Sequence, residues 1–260
     1  MDSGLYAACA GLRAQSQALE VAAHNLANLN TTGFRAQQTT FQSLVAAAPS
    51  GTNAMGGGLN RVLSSVLNQA TNNFGVLEGT HLDMTPGNLL ATGNPLDVGI
   101  EGSGFFAIQT ASGLRYTRNG SFQVSSKGQL VTAAGDLVLS APTLKDRNGV
   151  NIPAGTVSIA SDGTVSVNGA VAGTIGLVEF PSGTELTSDG DSLLSAAENS
   201  ARPVAEPALK QGTLESSNVN SIASVVALIG VQRQAEMLQR ALSVFDSEFN
   251  QIASSQLARV

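Results

Sequence analysis

Apolar residues recur every seven positions at one end of this chain and again at the other, with a long stretch of different character between them. Leu5, Leu12, Leu19 and Leu26 are spaced by heptads, and Ala8, Gln15, Ala22 and Leu29 fill the second seam position. That period predicts helix over residues 1–30, with small residues permitting close approach of a partner. Asp2 or Ser3 can cap its start, and Thr31-Thr32-Gly33 stops it, with Gly33 placed at C′. Near the other end, Leu228, Val231, Ala235, Leu238, Leu242, Phe245, Phe249 and Ile252 keep the same spacing. They predict one long helix over 219–256, with Ser217, Asn218 or Asn220 as its N-cap. Ile222, Val225, Val226 and Ile229 extend the apolar surface in a shifted phase. Two seam helices at opposite ends of a chain can meet only each other or other chains. One pair buries a stripe rather than a core, so the surplus apolar face points to assembly.

The middle of the chain obeys a different period. Residues 36–77 carry one charge, Arg61, and include Pro49-Ser50-Gly51 and Gly56-Gly57-Gly58. They read as a connector with a short helix near 59–69. From about 78 to 210 turn dipeptides punctuate alternating runs: Asn119-Gly120, Lys127-Gly128, Asn148-Gly149, Asp162-Gly163, Asn168-Gly169, Ser182-Gly183 and Asp189-Gly190. Such spacing predicts hairpins. The expected fold is α+β, with N- and C-terminal coiled-coil helices paired together and flanking a mainly antiparallel β domain. Its parts are a discontinuous helical domain (1–35 plus 215–260), a connector (36–80) and an outer β domain (81–214). Asn119-Gly120 reads as a type I′ turn, with Arg118 before it as a solvated strand residue or a bridge to another subunit. Phe105-Phe106 puts one ring on each face of a strand, one for the core and one for a neighbour.

Composition excludes several functions. Net charge is −6, so a nucleic-acid-binding surface is not expected. No run reaches the roughly 18 apolar residues of a membrane span, and Met1-Asp2-Ser3-Gly4 shows no basic leader start. The single Cys9 excludes an internal disulfide and reads as a small packing residue. His24 and His81 are the only histidines, and His24 reads as a packing or hydrogen-bonding residue. Gly102-Ser103-Gly104 lacks the third glycine and the later acid of a dinucleotide fingerprint, and Gly56-Gly57-Gly58 lacks the lysine of a phosphate loop. No catalytic, cofactor or metal residues, and no small-molecule substrate, are expected. Charged residues make up 12% of the chain while Ser, Thr, Asn and Gln make up 31%. A surface that neighbours cover is easier to build from neutral polar groups than from charges that need partners once desolvated.

Four stretches carry a resemblance. Ala27-Asn28-Leu29-Asn30-Thr31-Thr32-Gly33-Phe34-Arg35 resembles the N-terminal signature of flagellar rod and hook axial proteins. Gly93-Asn94-Pro95-Leu96-Asp97-Val98 with Gly102-Ser103-Gly104-Phe105-Phe106 resembles the family's central block, as does Tyr116-Thr117-Arg118-Asn119-Gly120-Ser121-Phe122. The run from Gln211 to Asn220 is similar to the segment that opens its C-terminal helix. The matches come in order and span nearly the whole chain. The length suits a rod protein with one β domain. Phe34-Arg35-Ala36-Gln37 and Asp83-Met84-Thr85-Pro86-Gly87 look more like the proximal than the distal rod type. The resemblance implies a structural subunit, not an enzyme. It implies export by the flagellar type III apparatus without a cleaved leader, and polymerisation with itself and other rod proteins into the periplasmic drive shaft. It places the assembly interface on Leu5, Leu12, Leu19, Leu26, Leu29, Leu228, Val231, Leu238, Leu242, Phe245, Phe249 and Ile252. The family motif falls on Asn28, Asn30, Thr31, Gly33, Phe34, Arg118, Asn119, Gly120, Asn218 and Asn220. A distal rod subunit is the alternative. A rod-associated cell-wall hydrolase and a secreted adhesin are weaker ones, lacking an added domain and a leader respectively.

Overall fold

The computed structural model describes residues 2–44, 74–140, 148–181, 183–190, 192–197 and 200–257. The short helix expected near 59–69 lies outside them. The chain divides into two compact units. The terminal unit holds residues 1–26, 37–81 and 221–260, and the β unit holds 27–36 and 82–220. The stretches 27–35 and 215–220, expected with the helices, group with the strands.

In the terminal unit, α1 spans Asp2–Ala27 and α2 spans Ser221–Leu257. Gln15 Nε2 donates to Val231 O at 3.1 Å and to Gln234 Oε1 at 3.0 Å. Gly11 faces Leu238, so the two helices run antiparallel. Among the described side chains of α1 the most buried are Ala14 and Ala18, and Leu12, Leu19 and Leu26 are half-buried. Small side chains let the helix axes approach and leave the leucines on the shoulders of the contact. On α2, Leu228, Val231, Ala235 and Leu238 are half-buried at the predicted spacing. Asn220 immediately precedes α2, at the N-cap position. Beside the helices, β1 (Gln37–Leu44) and β2 (Phe74–Leu82) form a two-stranded sheet, at either end of the expected connector. Asn25 brackets the start of β1: its Nδ2 donates to Gln37 O at 2.7 Å and its Oδ1 accepts from Gln37 N at 2.8 Å. The side-chain amide stands in for a neighbouring strand.

The β unit is antiparallel at every strand pairing described within it. Its centre is β5 (Phe105–Thr110), which pairs with β6 (Gly113–Thr117), β9 (Leu137–Val138) and β13 (Leu177–Glu179). Period-two alternation sends Phe106 and Ile108 into one core and Phe105 and Ala107 into another. Phe106 meets Phe122 edge-on at 5.0 Å, and Phe105 meets Phe180 at 5.7 Å. Both rings of the aromatic pair are therefore covered by this chain, and neither is left for a neighbour. A hairpin stack of β10 (Val157–Ile159), β11 (Thr164–Val167) and β12 (Ala170–Thr174) adds Ile159, Val165 and Val167 to the first core. Its turns use the predicted dipeptides. Gly163 has φ +85°, and Asn168-Gly169 has φ +52° and +85°, the double left-handed pattern of a type I′ turn.

Two short sheets bring distant stretches of sequence together. β17 (Leu209–Gln211) pairs with β4 (Val98–Ile100), and β18 (Thr213–Glu215) pairs with β3 (Leu89–Ala91). These pairings set the position of the one carboxylate on which the buried charges converge.

Candidate functional site

Among the described residues no group of histidine, cysteine or acidic side chains could hold a metal ion. His24 is exposed in the last turn of α1, and Cys9, expected to pack, is exposed as well. The unusual chemistry is buried charge. Three stretches far apart in sequence are woven together in the β unit: 31–36, 83–88 and 213–218.

The weave begins with a turn. Thr31 N donates to Asn28 O at 3.2 Å, Thr31 Oγ1 donates to Asn28 Oδ1 at 3.0 Å, and Phe34 N donates to Thr31 O at 3.3 Å. Gly33 follows with φ +68°. A side chain there would overlap the backbone of Arg118 and Asn119, so the position needs glycine for its dihedral and its closeness alike. Gly33 N donates to Glu215 O at 2.8 Å. Phe34 is buried, and Asn218 N donates to its carbonyl at 3.4 Å. The Asn218 side chain then satisfies several backbone groups at once. Its Oδ1 accepts from Ala36 N at 2.7 Å, and its Nδ2 donates to Asp83 O at 3.0 Å and Thr85 O at 2.9 Å. Ser216 N donates to Asn88 O at 2.8 Å.

Inside this weave lies a triad of charges. Arg35 Nη2 sits 2.9 Å from Glu215 Oε1, and Arg118 Nη1 sits 2.9 Å from Glu215 Oε2. The three side chains are 2%, 4% and 1% exposed for Arg35, Arg118 and Glu215. Gly87 N donates a further bond to Glu215 Oε1 at 2.8 Å. Arg35 Nη1 donates to Thr85 O, and Arg118 donates to Gly102 O while its guanidinium lies 5.3 Å from the centre of the Phe105 ring. The Arg35 contact to Glu215 is an ion pair whose N–H direction lies off the hydrogen-bond line, and both Nε atoms lack a partner among the described residues. Burial lowers both guanidinium groups below the ordinary arginine value, and Glu215 opposes the shift at each. Arg35 lowers that of Arg118 further, as like charges must. One carboxylate thus holds two buried cations, and removing it would leave both uncompensated.

Nearby, the Gly93–Val98 block makes a side-chain-locked turn. Thr92 Oγ1 donates to Asp97 Oδ2 at 2.7 Å and Asn94 Nδ2 to Asp97 Oδ1 at 2.9 Å. Gly212 N donates to Asp97 O at 2.7 Å.

Several expectations change here. Arg118 is neither solvated nor free to bridge outward, because Glu215 of the same chain takes it into the interior. Asn119-Gly120 is not a type I′ turn: neither residue has positive φ, and the strands on either side pair elsewhere. Gly120 is required because any side chain would overlap Val98 O, and Val98 N donates to Gly120 O at 3.0 Å. Gly33 is not a C′ residue, since α1 ends at Ala27 and the glycine serves the docking of the turn. Leu29 for the same reason lies beyond the seam it was assigned to. Asn30 is exposed, and Asn28 and Thr31 close the turn. Of the seam residues, Leu12, Leu19, Leu26, Leu228, Val231 and Leu238 lie half-buried on their helices. The side chains of Leu5, Leu242, Phe245, Phe249 and Ile252 lie outside the described ones. Sequence reasoning passed over Arg35, Glu215 and Asn25. A signal existed for two of them, since Arg35 closes the N-terminal signature and Glu215 is the only charge in 211–220.

Comparison with known proteins matches all three parts of this architecture. Residues 5–35 match the family described as flagella basal body rod protein, 99–167 the flagellar hook protein FlgE/F/G D1 domain, and 210–254 the flagellar basal body rod FlgEFG protein C-terminal family. The chain is 31% identical to the flagellar basal-body rod protein FlgF of Caulobacter vibrioides, over all of both chains. It is 32% identical to the flagellar basal-body rod protein FlgG of Buchnera aphidicola from Acyrthosiphon pisum, over 97% of this chain and 99% of the relative. It is 34% identical to the FlgF of Escherichia coli K12, over 95% of each.

Proposed function

Because the chain belongs to the flagellar basal-body rod protein family, a family of structural proteins rather than enzymes, we propose that it polymerises through a coiled-coil pair of α1 and α2 into the periplasm-spanning shaft that transmits torque. The observation that supports this reading is the second apolar face of α2. Ile222 is 77% exposed and Val226 64%, with Val225, Ile229, Met237 and Val244 also exposed. Val231 and Leu238 meet α1 on the opposite face, where Leu228 and Ala235 are half-buried, so a helix of this kind presents a further stripe to neighbouring subunits. A contact between unlike faces of successive copies does not close on itself and generates a helical rod.

The subunit is of the proximal type in this reading. Relatives of both names match at similar identity, so the assignment rests on Phe34-Arg35-Ala36-Gln37 and Asp83–Gly87. Export through the flagellar type III apparatus belongs to the same reading. Among the described residues no helix is long and apolar enough to cross a membrane.

Complementation tests both parts. The gene should restore motility to a strain lacking its proximal rod subunit and not to one lacking the distal subunit; the reverse pattern would reassign it. Leu19→Asp should abolish rod incorporation while the β unit remains folded, and normal motility in that variant would overturn the assembly role of α1.

A further inference from the structure

We propose that Glu215 is a coupling residue, which makes the signature turn 27–36 and the segment 213–220 order together or not at all. The bonds between the two run in both directions. Gly33 N donates to Glu215 O, Ala36 N to Asn218 Oδ1, and Asn218 N to Phe34 O. Arg35 reaches Glu215 from one segment, and Arg118 reaches it from the strand region.

Charge makes a half-formed clasp worse than either a closed or an open one. With 213–220 released, Arg35 and Arg118 are left as like charges in a site with no anion between them. With 27–36 released, Phe34 leaves the interior, and the backbone partners of Glu215 and Asn218 on that side are gone. A buried polar network that is partly satisfied is less favourable than one fully made. The intermediate states are therefore depleted, and the two segments behave as one cooperative element. Coupling of this kind is reciprocal: a partner that tightens one segment tightens the other by the same factor. The two segments lead out of α1 and into α2 along the chain. The coupling is a property of a single chain and stands whether or not the assembly reading holds.

Amide hydrogen exchange on the full-length chain, at concentrations where it is monomeric, tests this directly. The reporters are the amides of Gly33, Phe34 and Ala36 in one segment and Ser216 and Asn218 in the other. Arg35→Met alters only the first segment. It should speed exchange in both by the same factor, at least tenfold, while Ala107 and Ile108 in β5 exchange as in the parent. Combined with Glu215→Gln it should add nothing beyond the larger single effect, whereas independent contacts would multiply. If Arg35→Met does not fold, Arg35→Lys keeps the charge, loses the two-pronged geometry and should give a smaller but still equal acceleration. Acceleration confined to 33–36, factors differing by more than threefold between the segments, or none at all would overturn the proposal.

Discussion

The two units of this molecule bury their apolar side chains to very different degrees. In the β unit the large core residues Phe106, Phe122, Ile108 and Leu130 are fully buried, and the triad of Arg35, Arg118 and Glu215 is enclosed and paired. In the terminal unit the most buried of the described side chains on α1 are two alanines, while isoleucine and valine stand exposed on α2. A side chain such as Leu or Ile contributes about 1.5–3 kcal/mol when fully buried, and α2 leaves much of that unused. The β unit encloses its large core within one chain, whereas among the described residues the terminal unit leaves an apolar face of α2 exposed, the face that the proposed assembly would cover.

The contrast breaks most sharply at Glu215. Glu215→Gln leaves Arg35 and Arg118 buried without an anion and should cost about 3–5 kcal/mol, read as a lowered denaturant midpoint of the β unit. A loss under about 1 kcal/mol would show that the triad is solvated in solution. Gly120→Ala comes next. Its Cβ would overlap a backbone carbonyl rather than a flexible side chain, so relief requires moving a strand, at about 1–3 kcal/mol.

Gly230→Ala should have the opposite sign. It sits within α2, and no described residue lies within 4 Å of a Cβ placed there. Alanine should therefore stabilise the helix by about 0.8–1.0 kcal/mol through propensity alone, read as increased helicity by circular dichroism. One glycine is required by crowding and the other is tolerated in open space. A gain at Gly120 or a loss at Gly230 in the monomer would invert the comparison.

These glycines also show what the sequence could and could not disclose. Periodicity revealed the helices to within a few residues, because a 3.5-residue repeat over many turns admits little else. Turn chemistry located the β10–β12 hairpins, since Asn168-Gly169 needs two left-handed residues and local dihedrals are encoded locally. The same dipeptide at Asn119-Gly120 misled, because there glycine answers to Val98, far enough along the chain that no local rule sees it. The clasp was illegible for the same reason. Its geometry depends on β17 pairing with β4 and β18 with β3, contacts that join residues more than a hundred positions apart. Arg118 could be read only by its neighbours in sequence, and those neighbours suggest an exposed turn.

The smallest effect on the isolated chain sharpens the comparison furthest. Val226→Ser replaces an exposed valine on α2 by a residue of similar helix propensity. With most of its side chain already in solvent, monomer stability should change by no more than about 0.5 kcal/mol. If the proposed assembly holds, the same position lies on the stripe that meets neighbouring subunits, where a hydroxyl would replace buried methyl groups and the loss would recur at every copy along the rod. Sedimentation of concentrated protein, alongside denaturant unfolding of the dilute chain, separates the two. Unchanged unfolding with reduced polymer is the expected pair. Unchanged polymer would show that this stripe faces solvent in the rod, and that the incompleteness of the terminal unit is met by the leucines on the shoulders of α1.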